Sequence, residues 1–79
     1  MTLQTKSKTR FVICLRNDDS EDLLLGKVYR VLPDEVAARD NYIRIVDESG
    51  EDYLYPASFF IAIELPTKAE RALFPVAGD

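Results

Sequence analysis

The stretch from Asn41 to Tyr55 constrains the fold more than any other part of this chain. Asn41-Tyr-Ile-Arg-Ile-Val46 alternates, with Ile43 and Ile45 on one face, and Tyr53-Leu-Tyr55 resumes directly after Asp47-Glu-Ser-Gly-Glu-Asp52. Small polar residues around Gly50 supply the positive φ that a tight reversal between two strands requires. The remaining β signals are of the same length and kind. Phe11–Arg16 is rich in β-branched and aromatic types, and Lys27–Leu32 places Tyr29 and Val31 on one face and Val28, Arg30 and Leu32 on the other. Phe59–Leu65 reads as a last strand, after Pro56-Ala-Ser58 interrupts pairing.

Turn chemistry separates these runs. Asn17–Asp22 is a polar, acidic loop, and Gly26 follows Leu23-Leu-Leu where the chain must reverse. Pro33 ends the second strand, and Pro33–Asp40 holds one helical turn's worth of good formers, a length that predicts only a connecting loop. Five short strands with this punctuation predict an all-β barrel or sandwich, and contact between the first and last strands would remove its exposed edges. After Pro66 the pattern changes. Thr67 and Glu70 have capping-box spacing before Arg71-Ala-Leu-Phe74, and Pro75 stops the run. A helix of about two turns holds only if Leu73 and Phe74 dock, on the barrel's open end or on a second copy; otherwise it frays.

Composition limits the chemistry. A chain of 79 residues, 47% of them hydrophobic, makes one domain with a real core. It has neither an 18-residue apolar run nor a signal-peptide pattern, which makes a cytoplasmic protein the default. Cys14 is the single cysteine and histidine is absent, so an intrachain disulfide, the usual zinc sites and imidazole catalysis are excluded. Cys14 itself reads as a small strand residue. No cofactor is expected, and a chain without a phosphate loop or an activated nucleophile does not read as an enzyme.

Two acidic clusters stand out: Asp18, Asp19, Glu21 and Asp22 in the first loop, and Asp47, Glu48, Glu51 and Asp52 around the hairpin. Neither has the alternating acids and central glycine of a calcium loop, so both read as solvated charge. Charge is also unevenly placed. Lys6, Lys8 and Arg10 give the first ten residues +3, and removing them from the 10 basic residues leaves 7 against 14 acids, a body of −7. Such a body repels phosphate backbones.

Three segments together resemble a known family. Leu23-x-x-Gly26-Lys27-x-Tyr29-x-Val31-Leu32 resembles the diverging turn and second strand of Src-homology-3 domains, and the acidic loop Asn17–Asp22 stands where that family has its long first loop. Tyr55-Pro-Ala-Ser-Phe-Phe60 resembles the family's closing motif. The resemblance covers residues 10–64 and implies an all-β, five-stranded SH3-like barrel over residues 10–65. Residues 1–9 are then a flexible basic segment, and residues 66–79 a short C-terminal helical turn or frayed tail. The chain also resembles short bacterial or phage proteins with such a barrel. In the signalling family, proline-rich peptides lie on a shelf of aromatic rings. Pro56 and Phe59 match shelf positions, Leu15 and Asn17 occupy the two tyrosine positions, and Asn41 or Tyr42 stands near the tryptophan's place.

The aromatic residues point the same way. Tyr42, Tyr53, Tyr55, Phe59 and Phe60 crowd around Pro56, and alternation sets Phe59 and Phe60 on opposite faces, so some aromatic surface is expected to stay exposed. The candidate binding set is Tyr42, Tyr53, Pro56 and Phe59, edged by Asp18 and Asp19. The expectation is a non-enzymatic interaction domain, a monomer or weak dimer that binds a protein or peptide away from any membrane. The alternative is a nucleic-acid-associated barrel of the Tudor or ribosomal type, supported by the basic first segment and opposed by the acidic body.

Overall fold

The alternating runs do become strands, and the computed structural model describes them within residues 10–74. β1 (Phe11–Cys14), β2 (Val28–Leu32), β3 (Tyr42–Val46), β4 (Asp52–Pro56) and β5 (Phe60–Ile63) make one antiparallel sheet in the order β4-β3-β2-β1-β5. β2, β3 and β4 form a meander, with Val31 opposite Ile45 and Ile45 opposite Tyr53. β5 then returns to the far side of β1, setting Phe11 opposite Ile63 and Cys14 opposite Phe60. The expected contact between first and last strands is therefore present. It does not remove the edges: β4 and β5 are the two ends of the ladder, joined in sequence by a 3-10 turn (Ala57–Phe59).

One face of the sheet carries the core. Val12 and Cys14 from β1, Tyr29 from β2 and Ile45 from β3 pack with Leu23, Phe59 and Phe60, and Val31, Ile43 and Tyr55 close around them. Tyr29 with Val31, and Ile43 with Ile45, thus share the faces that their alternation assigns. Phe59 and Phe60 do not. Phe59 ends the 3-10 turn and Phe60 opens β5, so the alternation breaks between them and both rings enter the core. Cys14 is fully buried, with its Sγ 3.2 Å from the Arg16 carbonyl, and burial pushes its thiol up.

Two connections are more ordered than their lengths suggest. Pro33–Asp40 holds a true helix, α1 (Glu35–Arg39), rather than a plain loop. Asp34 caps it by accepting from the Ala37 N–H at 2.9 Å, Ala37 is buried, and Asn41 leaves the helix at φ 63°, where asparagine is tolerated. In the first loop the Asn17 side chain donates to the Leu23 carbonyl at 3.1 Å. Gly26 then turns at φ 78° and donates to the Cys14 carbonyl at 2.7 Å.

α2 (Thr67–Leu73) docks on the outer face of the same sheet, not on its open end. The Phe74 ring stacks on Phe11 at a centroid distance of 5.3 Å, and Phe11 is only 4% exposed although its neighbour Val12 faces the core. Arg10 and Glu70 pair at 2.6 Å beside that stack. The capping box does not form: Pro66 is the N-cap residue, Thr67 makes no capping hydrogen bond, and Glu70 is turned to Arg10 instead. Leu73 stays half exposed, so Phe74 makes the docking contact. The basic segment 1–9 and the stop at Pro75 lie outside the described residues. Among the described residues no helix is long and apolar enough to cross a membrane.

Candidate functional site

At the hairpin end, tyrosine hydroxyls and acids bolt the core shut. Tyr29 Oη accepts from the Leu24 N–H at 2.8 Å and donates to Glu48 Oε2 at 2.7 Å, and Lys27 pairs with the same carboxylate. Tyr55 Oη donates to Asp47 Oδ2 at 2.6 Å, while Asp47 Oδ1 accepts from the Ser49 N–H and hydroxyl. Asp47 is 5% exposed, so this member of the second acidic cluster is structural and not solvated. Burial works to raise its carboxyl, but the hydrogen bonds from Ser49 and Tyr55 outweigh that and hold it below the usual carboxylate range. The Lys27 pair, helped by Tyr29, does the same for Glu48. Burial, reinforced by these acids, pushes both phenols well above the ordinary tyrosine range.

The opposite end is open. A cleft of about 370 Å³ lies over the inner-face residues Val12, Val31 and Ile43. Phe60 and Ala62 of β5 line it on one side, and Pro33, Ala38, Tyr42 and Ala57 are among the residues on the others. Two of its polar lining residues, Asp34 and Arg44, engage each other. Asp34 Oδ2 accepts from Arg44 Nε at 2.9 Å, and Arg44 Nη1 reaches Asp52 at 2.9 Å. The Ala37 N–H and then Arg44 hold the Asp34 carboxyl below its ordinary value, and its partner raises Arg44. This ion pair fixes a shape and a charge pattern; neither member is poised to exchange a proton near neutral pH. A concave, mostly apolar site with few polar groups is suited to holding a ligand.

The structure brings only part of the expected set to this cleft. Tyr42 lines it at 44% exposure, and Pro56 is its cross-strand partner in the β3–β4 register. Phe59 is a correction: at 8% exposure it is a core ring, with the Arg16 guanidinium 5.6 Å from its centroid. Tyr53 sits three register positions along β4 from Pro56, opposite Ile45, and donates to Glu51 at 3.1 Å. Asp18 is tied to Arg16, and Asp19 is exposed at φ 69°. Neither acid lines the cleft, although Arg16 links the acidic loop to Phe59.

Val12, Ala62 and the Asp34–Arg44 pair were the residues missed. Alternation in Phe60–Ile63 could have put Ala62 beside Phe60 on the inner face, but nothing local shows that β5 ends the sheet. Among the described residues no three acidic or thiol side chains converge as a metal site would require. Comparison with protein-family models, curated proteins and solved structures finds no match to this chain.

Proposed function

We propose that this chain is a non-enzymatic interaction domain of the SH3-like barrel type, acting in the cytoplasm, that takes a protein or peptide partner in the cleft beside Tyr42 and Pro56. One observation carries the reading: a mostly apolar cleft of about 370 Å³ lies open next to an exposed tyrosine, at the end of the domain away from the Tyr29 and Tyr55 hydroxyl network. A site of this size suits a few side chains of a partner segment. Tyrosine supplies contact area at low entropic cost, which favours it at binding surfaces. The return of β5 to β1 and the closing stretch Tyr55–Phe60 support the barrel part of the reading.

The nucleic-acid alternative gains nothing here. Leaving out Lys6, Lys8 and Asp79, the 10 bases and 14 acids become 8 and 13 over residues 10–74, a surface that repels phosphate. The test is peptide selection from a random displayed library against the full chain, followed by titration of Tyr42→Ala and Pro56→Ala. The reading expects Tyr42→Ala to weaken binding by about tenfold or more, as truncation of an aromatic anchor does. Undiminished binding by both variants would remove it.

A further inference from the structure

We infer that the occupant of this cleft is an extended segment of a partner protein, apolar at alternate positions and net basic, which adds to β5 as a further strand. The inference rests on the interaction reading above and names the form of its partner.

Backbone direction is the first ground. Along β1, Cys14 exchanges with the β2 side, donating to the Lys27 carbonyl at 3.0 Å and accepting from Gly26 at 2.7 Å, and the Arg10 carbonyl accepts from Val31 at 2.8 Å. Leu15 points the other way and donates to the Phe59 carbonyl at 2.7 Å. Backbone groups in an antiparallel ladder alternate sides, so Phe11 and Ile13 face β5 and meet Ile63 and Ile61. Phe60 and Ala62 must then turn their backbone groups away from β1. The Phe60 N–H is taken by the Ala57 carbonyl. That leaves the Phe60 carbonyl and both the N–H and carbonyl of Ala62 along the outer edge, with no backbone partner among the described residues. Ala62 is exposed.

The second ground is that these same two residues line the cleft. A strand that paired with Phe60 and Ala62 would drop every second side chain into the apolar volume next to them. Ala62 is the small residue that leaves room there. The third ground is the state of the edge itself. β4 carries Asp52 and Pro56, both of which discourage further pairing. β5 reads Phe-Ile-Ala-Ile, with no charge, proline or glycine to blunt it, and Ile61 is 53% exposed. A fourth ground sets the partner's charge. Asp34 and Arg44 are paired with each other at the cleft wall, which leaves Glu35 in the lining and Glu64 after β5 as the charges a partner meets there. A second copy of the chain fits less well, because each copy carries a net charge of −4 and the two repel.

The test uses the full chain and synthetic peptides recovered from a random dodecapeptide display library. Selected peptides should carry apolar residues at every second position and a net positive charge. One binding peptide is then remade with N-methyl groups on either alternate set of its amides. Strand addition expects one set to lose binding by about tenfold or more and the other to change by less than about threefold, since only one set faces β5. The Ala62 amide should also exchange about tenfold more slowly when the peptide is bound. If both methylated sets bind alike and Ala62 exchange is unmoved while Tyr42 and Ile43 resonances shift, the cleft reading stands and strand addition falls. If no recovered peptide shifts those resonances, both fall. Concentration-dependent protection of Ala62 without peptide would identify a second copy as the occupant and overturn the assignment.

Discussion

The two ends of this sheet solve the same problem in opposite ways. At the hairpin end, Tyr29 and Tyr55 carry their hydroxyls to Glu48 and Asp47, and the apolar interior is sealed by satisfied polar groups. At the other end, Val31, Ile43 and Ala62 line an open cleft, and the ion pair of Asp34 and Arg44 lies in its wall. A buried polar network that is fully satisfied rigidifies what it closes. An apolar surface left open is one that something else can cover. The contrast places the packed, polar-sealed structure at one end and the proposed binding surface at the other.

Breaking the core at the sealed end should cost most. Ile45→Ala removes a fully buried side chain from the middle of the core and is expected to destabilise the domain by about 2–5 kcal/mol, read from the urea midpoint. A cost below about 0.5 kcal/mol would mean that this end is not the packed one. Asp47→Ala comes next. It strands the Tyr55 hydroxyl and the Ser49 N–H, with an expected loss of about 1–3 kcal/mol by the same assay.

Acid tests the same network without a mutation. Asp47 and Glu48 both have carboxyls held below their unfolded values, so their contribution is fully present above the unfolded pKa values of about 4. It is lost as pH falls through the lower, folded values. Urea midpoints should therefore hold steady from about pH 7 to 5 and fall below about pH 4. Asp47→Asn should flatten that fall; an unchanged acid slope in this variant would take Asp47 out of the account. The smallest effect on stability belongs to the open end. Tyr42→Ala should move the urea midpoint by no more than about 0.5 kcal/mol while weakening peptide binding, which separates the two ends in a single variant. A large loss of stability would mark Tyr42 as structural.

The sequence carried the strands but not their closure. Alternation in Val28–Leu32 and Tyr42–Val46 was enough to put Tyr29 with Val31 and Ile43 with Ile45 on shared faces, because side chains alternate with a period of two; that these faces are the buried ones comes from the packing. Phe59 was misread because a three-residue turn resets the alternation, and its closing position says nothing about depth. The helix formers in Pro33–Asp40 were legible, but the shortness of the run predicted only a loop. The Ala37 N–H capped by Asp34, the burial of Ala37 and the grip of Arg44 on Asp34 hold Glu35–Arg39 as a helix. Asp47 looked like one more solvated acid, since the hydroxyl that buries it lies eight residues away on the next strand. Of the site, Tyr42 and Pro56 were legible as an aromatic–proline pair. The cleft they flank was not, because Val12 and Ala62 enter it from strands at opposite ends of the chain.

Amide hydrogen exchange on the isolated chain tests the central claim most directly, because the account needs β5 to be paired on one side and open on the other. Ile61 and Ile63, bonded to β1, should exchange slowly, while the Ala62 amide between them should exchange at least about tenfold faster. Equal protection at all three positions in the monomer would mean that the edge is already covered, and would contradict the open edge on which the proposed binding depends.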